Sequence, residues 1–105
     1  MEHNITSKFD GGTWHVKLQG EVDIYNAAEI KKGLHELLDE HNADMSIDCL
    51  KLEYIDSTGL GALVAVLKKV KEANNKMYLT NVKPAALKLF EITDLDKVFI
   101  INEVN

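Results

Sequence analysis

After an opening hairpin, the chain alternates three times between a segment of helical periodicity and a short apolar run, an order that leaves few folds open. Ala27, Ile30, Leu34, Leu37 and Leu38 recur at helical spacing, as do Leu60, Leu63, Val64, Leu67 and Val70. A third helix is predicted over residues 84–92, with Pro84 at its first position. Runs at residues 45–50, 77–80 and 98–101 read as the intervening strands. Strands that alternate with helices are joined by right-handed crossovers into a largely parallel sheet. Ahead of them, residues 5–9 and 14–18 flank Asp10-Gly11-Gly12, a turn signal for an antiparallel pair. The predicted fold class is therefore α/β: a mixed, mostly parallel sheet of about five strands, an N-terminal antiparallel hairpin, and three to four helices. At 105 residues, with no linker or repeat, residues 1–105 are expected to form a single domain.

Several local features refine this reading. Asn26 is predicted as the N-cap of the first helix, with Glu29 in capping-box position. Gly33 weakens that helix by about 1 kcal/mol without breaking it. Asp48 must find a partner or reach its strand's end, because an unpaired carboxylate is costly inside a sheet. Asn74-Asn75 closes the second helix, and the polar tail after the last strand reads as a short helix or a frayed end.

Composition excludes whole classes of function. Apolar residues make up 46% and charged residues 28%, a globular balance too apolar for disorder. Seventeen acidic against twelve basic residues give a net charge of −5, which argues against direct nucleic-acid binding. No apolar run approaches the ~18 residues of a membrane span, and Met1-Glu2-His3-Asn4 does not open a secretory signal. Cys49 is the only cysteine, so no internal disulfide can form and a cytoplasmic setting is expected. With no long apolar surface strip, a free monomer is the expectation.

In sheets of this kind, function gathers where strand ends run into helix N-termini. Two loops have that placement: Gly20-Glu21-Val22-Asp23-Ile24-Tyr25-Asn26, and Asp56-Ser57-Thr58-Gly59-Leu60-Gly61. Ser57 stands where the chain turns into the second helix, a position for an N-cap hydroxyl. Gly59 and Gly61 remove side chains around it, allowing close approach of another backbone. Two readings stay open: a simple helix cap, or an exposed hydroxyl meant to be modified. A phosphate on Ser57 would add about −1.5 to −2 charges at a helix N-terminus, which the helix dipole tolerates. Asp56, and Asp23 if the two loops meet, would add repulsion. Thr58, Gly61, Ala62 and Ala65 form a small-residue strip on the second helix, suited either to a partner or to a neighbouring helix of the same domain. On the partner reading, Ala62→Glu weakens binding without unfolding the chain.

Other signals carry less. His35 and His41 are six residues apart and do not share a helix face, and His3 and His15 complete no ligand spacing, so no metal or other cofactor is expected. Ser57 lacks a Gly-x-Ser-x-Gly elbow, since Ile55 precedes it by two, and no catalysis is expected from a Ser57–His15 pairing. Gly59-Leu60-Gly61 lacks the third glycine of a dinucleotide fingerprint. Cys49 reads as a small buried hydrophobe, Lys68-Lys69-Lys71 as a solvated face, and Trp14 and Tyr25 as aromatics that could border a partner site.

The strings Gly20-Glu21-Val22-Asp23-Ile24-Tyr25-Asn26-Ala27, Ile55-Asp56-Ser57-Thr58-Gly59-Leu60-Gly61 and Leu95-Asp96-Lys97-Val98-Phe99 together resemble the STAS domain. More narrowly they resemble the stand-alone bacterial anti-sigma factor antagonists, over essentially the whole chain. That resemblance implies a single STAS-like domain that is not an enzyme and works by partner switching. The unphosphorylated antagonist binds an anti-sigma factor that is also a serine kinase and so releases a sigma factor. The kinase phosphorylates the motif serine from ATP and breaks the complex; a PP2C-type serine phosphatase restores it. On this basis Ser57 is the expected phosphoacceptor, with Thr58 a second hydroxyl in reach. Asp23, Ile24, Tyr25, Asn26, Asp56, Thr58, Gly59, Leu60, Gly61 and Ala62 border the expected docking surface. Asp94 departs from the glycine that family members often carry before the last strand. The alternative is a STAS adaptor or scaffold subunit, in a signalling complex or a lipid-transport ATPase, that binds constitutively. A domain cut from an anion transporter is set aside, the chain being expected to begin and end with the fold.

Overall fold

The structure, a computed structural model, describes residues 4–102; His3 and the polar tail beyond Asn102 lie outside the described residues. Strands β1 (Ile5–Asp10) and β2 (Thr13–Leu18) form the expected antiparallel hairpin, turning at Gly11 and Gly12, both at positive φ. Helix α1 (Ala27–Glu40), strand β4 (Asp44–Asp48), helix α2 (Ser57–Glu72), strand β6 (Met77–Thr80) and helix α3 (Pro84–Ile92) follow in the predicted alternation. A 3₁₀ turn (Leu95–Lys97) leads into β7 (Ile100–Ile101), which is shorter than residues 98–101. The 3₁₀ turn uses up the start of that run: Val98 and Phe99 donate backbone hydrogen bonds to the Leu95 carbonyl rather than to a strand.

The main sheet has the order β1-β2-β4-β6-β7, with β2–β4, β4–β6 and β6–β7 all parallel. Each crossover steps in the same direction, and right-handed crossovers then place α1, α2 and α3 on one face. That face is the core: Trp14, Val16, Leu18, Met45, Ile47, Met77 and Leu79 pack beneath Ile30, Leu34, Leu63, Val66, Leu67 and Phe90. Gly33 is accommodated within α1, where an added Cβ would lie 3.1 Å from the Ile5 side chain. Asp48 stands at the end of β4, and its Oδ1 accepts from the Leu50 amide at 3.0 Å and the Asn81 side chain at 2.9 Å.

The sequence pattern did not reveal a second, two-stranded parallel sheet, β3 (Gly20–Val22) with β5 (Leu52–Ile55). Three or four residues are too short to show a period, and Gly20 at φ 77° marks where the chain leaves β2 for the new direction.

Candidate functional site

The small β3–β5 sheet brings the two predicted loops together. Val22 pairs with Ile55, and the Asp56 amide donates to the Val22 carbonyl at 3.2 Å, so Asp23 and Asp56 leave neighbouring strands in step. After β3 the chain folds into a tight turn. Asp23 Oδ1 accepts from the Tyr25 amide at 3.0 Å, and the Asp23 carbonyl accepts from the Ala27 amide at 2.8 Å. The turn pushes Ile24 and Tyr25 outward, 68% and 93% exposed, an unusual display for two large apolar side chains.

Asn26 stands at the N-cap of α1 as predicted, and its carbonyl accepts from the Ile30 amide at 3.0 Å, but its side chain makes no cap hydrogen bond and the predicted capping box is not formed. Its side chain faces backward instead: Oδ1 accepts from the Asp23 amide at 2.9 Å, and Nδ2 donates to the Glu21 carbonyl at 2.8 Å. Asn4 adds to the same knot, donating from Nδ2 to the carbonyls of Gln19 and Glu21 at 3.0 and 3.2 Å. The preceding turn offers its own unsatisfied backbone groups, and they outcompete the helix end for the Asn26 amide.

At α2 the cap is Asp56, not Ser57. Asp56 has extended backbone dihedrals, and its Oδ1 accepts from the Gly59 amide at 2.8 Å. Ser57 is the first residue within the helix and is exposed, as is Thr58. The Ser57 hydroxyl has no hydrogen-bond partner among the described residues. A carboxylate at this end also suits the positive pole of the helix dipole.

The two glycines of the motif have different reasons. A Cβ on Gly59 would meet the Val22 carbonyl oxygen at 2.6 Å and the Val22 and Ile55 side chains at 2.8 and 2.9 Å. Gly59 therefore serves internal packing of α2 against β3 and β5, a correction to its expected place on a docking surface. Leu60 (3% exposed) and Ala62 (7%) are corrected likewise: both are buried. Of the small-residue strip, Ala62 packs within the domain, as the second reading of that strip anticipated, while Thr58 and Gly61 remain exposed. Beside Gly61 a Cβ would meet open space. Thr58, Gly61 and Ala62 line a shallow groove of about 260 Å³ with Ala27, Ala28 and Lys31 of α1. Ala28 and Lys31 lie outside the apolar periodicity of α1, and their place beside α2 depends on how the two helices pack.

The surface cluster is thus Asp23, Ile24, Tyr25 and Asn26 on one loop, and Asp56, Ser57, Thr58 and Gly61 on the other. Trp14 lies far from an exposed partner site in character: it is 5% exposed, and its Nε1 donates to the His41 carbonyl at 3.0 Å. Cys49 is buried just past β4, and burial, helped by the Asp48 carboxylate, pushes its thiol up to about 12. Among the described residues, no three or more His, Cys, Asp or Glu side chains are grouped to hold a metal ion. None of the described helices is long and apolar enough to cross a membrane.

Comparison with known proteins places these features in a family. The STAS domain model matches residues 4–105. An anti-sigma-B factor antagonist of Staphylococcus aureus is 31% identical over 103 residues, covering 98% of this chain and 95% of its own. Among solved structures, an anti-sigma-factor antagonist (STAS) domain protein from Planctomyces limnophilus superimposes with a TM-score of 0.85 at 16% identity, over 96% of this chain and 91% of the other. The anti-sigma factor antagonist SpoIIAA of Bacillus has been solved unphosphorylated and phosphorylated. Those structures give TM-scores of 0.73 and 0.72, at 16% and 18% identity, and cover 96% and 94% of this chain and 89% and 91% of SpoIIAA.

Proposed function

The chain belongs to the STAS domain family, and on that premise we propose that it is an anti-sigma factor antagonist that acts by partner switching, with Ser57 as the switch. The observation that carries this reading is the division of labour at the start of α2. Asp56 holds the helix cap, which leaves the exposed Ser57 hydroxyl free of structural duty. A group can be added there without removing a bond that the fold needs.

In the unmodified state, Ile24 and Tyr25 supply the apolar anchors for an anti-sigma factor, and the groove by Thr58 and Gly61 admits its backbone. The partner is itself a serine kinase. The Ser57 oxygen attacks the γ-phosphorus of ATP bound to that kinase, ADP leaves, and the hydroxyl proton passes to a base on the kinase. The product places about −1.5 to −2 charges beside Asp56 and the Asp23 loop. The helix N-terminus stabilises that charge within the domain, whereas a partner shaped for a neutral hydroxyl is repelled. A PP2C-type phosphatase then hydrolyses the ester with water, returning the Ser57 hydroxyl and inorganic phosphate. The domain contributes recognition and a phosphoacceptor, not catalysis, and works as a monomer in the cytoplasm, where sigma factors act.

The test is mass spectrometry after incubation with ATP and a serine-kinase anti-sigma factor from the same genome, alongside binding measurements on Ser57→Ala and Ser57→Asp. One phosphate on Ser57, stable binding by Ser57→Ala and loss of binding by Ser57→Asp are expected. No phosphate, and binding indifferent to both substitutions, would replace the switch with a constitutive adaptor.

A further inference from the structure

A strand edge without a partner is a template for another extended chain. Strand β5 has such an edge: it pairs with β3 on one side, and among the described residues no strand pairs with the other. The Leu52 amide turns back to the Cys49 carbonyl at 3.1 Å, and the Asp56 amide, just past the strand, goes to Val22. Along β5 lies a groove of about 330 Å³. All four residues of β5 line it, and Lys83, Ala85, Ala86 and Leu89 at the start of α3 line it from across the gap. No residue of β3 does, so the groove follows the side of β5 that β3 leaves free.

The lining selects what can lie there. Leu52, Ile55, Ala86 and Leu89 give apolar surface, and Tyr54, 54% exposed, adds an aromatic ring. Ala85 and Ala86 present only methyl groups, which leaves room between helix and strand. Glu53 and Lys83 line opposite walls with charges that cancel, so the groove favours neither an acidic nor a basic occupant. A strand edge offers backbone donors and acceptors that another extended chain, about 4.8 Å away, can pair. A lipid would leave those groups unpaired.

Four residues of strand span only about 13 Å, and a stable interface buries about 800 Å² on each partner. Neither a short peptide nor a second copy seated here alone is held. The segment must belong to a protein gripped elsewhere at the same time, and β5 runs directly into Asp56 and Ser57. We propose that the anti-sigma factor bound at Ser57 lays an extended, uncharged apolar segment beside β5, as the third strand of the β3–β5 sheet. This rests on the reading of Ser57 given above and adds a second, apolar point of recognition next to the switch.

The test uses the full chain with a serine-kinase anti-sigma factor from the same genome. Amide exchange at residues 52–55, followed by mass spectrometry, should slow at least about tenfold in the complex, as an edge strand becomes an inner one. Ala85→Glu sets a charge in the groove yet suits a helix N-terminus, so the domain stays folded. It should weaken binding at least about tenfold and abolish the slowing. Lys88→Glu, exposed on α3 outside the groove, should bind as the parent does. Unchanged exchange at residues 52–55 in a complex that phosphorylates Ser57, or parental binding by Ala85→Glu, overturns the inference and leaves the switch standing. If the parent chain is neither bound nor phosphorylated, both fall together. Slowing that grows with the concentration of the chain alone gives the groove to a second copy, and slowing by oleate without the kinase gives it to a lipid. Either result also overturns the inference.

Discussion

Gly59 lies so close beneath Val22 that a β-carbon on it would sit 2.6 Å from the Val22 carbonyl oxygen. That carbonyl also accepts the Asp56 amide, so neither partner can step aside without opening the junction of β3, β5 and α2. Gly59→Ala is therefore expected to destabilise the domain by about 1–3 kcal/mol, the range of overpacking. Gly61→Ala, whose new methyl meets open space, should be neutral or stabilising by up to about 1 kcal/mol. Denaturant unfolding of the two variants checks the contrast; equal effects would mean that α2 can shift away from β3.

Asp56 and Ser57 should separate in the same kind of experiment. Losing the carboxylate that caps Gly59 in Asp56→Ala is expected to cost about 0.5–2 kcal/mol. Asp56→Asn, which keeps an acceptor, should recover most of that. Ser57→Ala removes a hydroxyl that holds nothing and should move the unfolding midpoint little. A Ser57→Ala loss as large as that of Asp56→Ala would return the cap to Ser57.

The contrast between these neighbours also marks how far the sequence could be read. Helix periods, the Asp10-Gly11-Gly12 turn and Pro84 carry their structure in local patterns, and the order of elements leads through crossover handedness to the sheet. The meeting of the Asp23 and Asp56 loops was only conditional in the sequence, because it depends on β3 pairing with β5, which are too short to announce themselves. Glycine was legible as a special position but not as to its reason: Gly59 yields to the domain's interior and Gly61 to the surface. Asp94 sits at φ 61°, a left-handed conformation that glycine adopts freely and aspartate tolerates, which explains how the chain departs from glycine there without a change of fold.

Among the described residues, Asn26 is the one side chain that bonds to both ends of the Glu21–Asp23 segment, and it should govern the shape of the loop more than the stability of α1. Asn26→Ala removes two hydrogen bonds and is expected to cost about 1–2 kcal/mol. Asn26→Asp keeps the acceptor for the Asp23 amide but sets a carboxylate against the Glu21 carbonyl. Hydrogen exchange at the Asp23 and Tyr25 amides should accelerate in both variants, while amides in the middle of α1 keep their protection. Faster exchange along the whole of α1 would show that the Asn26 side chain supports the helix end as well as the loop.

Cys49 makes the stability depend on alkaline pH. Its thiol titrates near 9.0 when exposed and at about 12 in the fold, because burial, aided by the Asp48 charge, disfavours the thiolate. Below 9 both folded and unfolded chains hold this proton, and its contribution is complete. Above 9 the unfolded chain releases the proton while the folded chain keeps it. Stability then falls as pH rises toward 12, by about 1.4 kcal/mol for each pH unit. Urea unfolding at about pH 8 and about pH 10 should show that slope in excess of the slope of Cys49→Ala, in which lysine and tyrosine titration continues but the thiol is gone. The same burial predicts that a thiol reagent labels Cys49 slowly in the native protein at about pH 8 and rapidly in urea. Parallel slopes for the two proteins, or rapid native labelling, would place the thiol within reach of solvent.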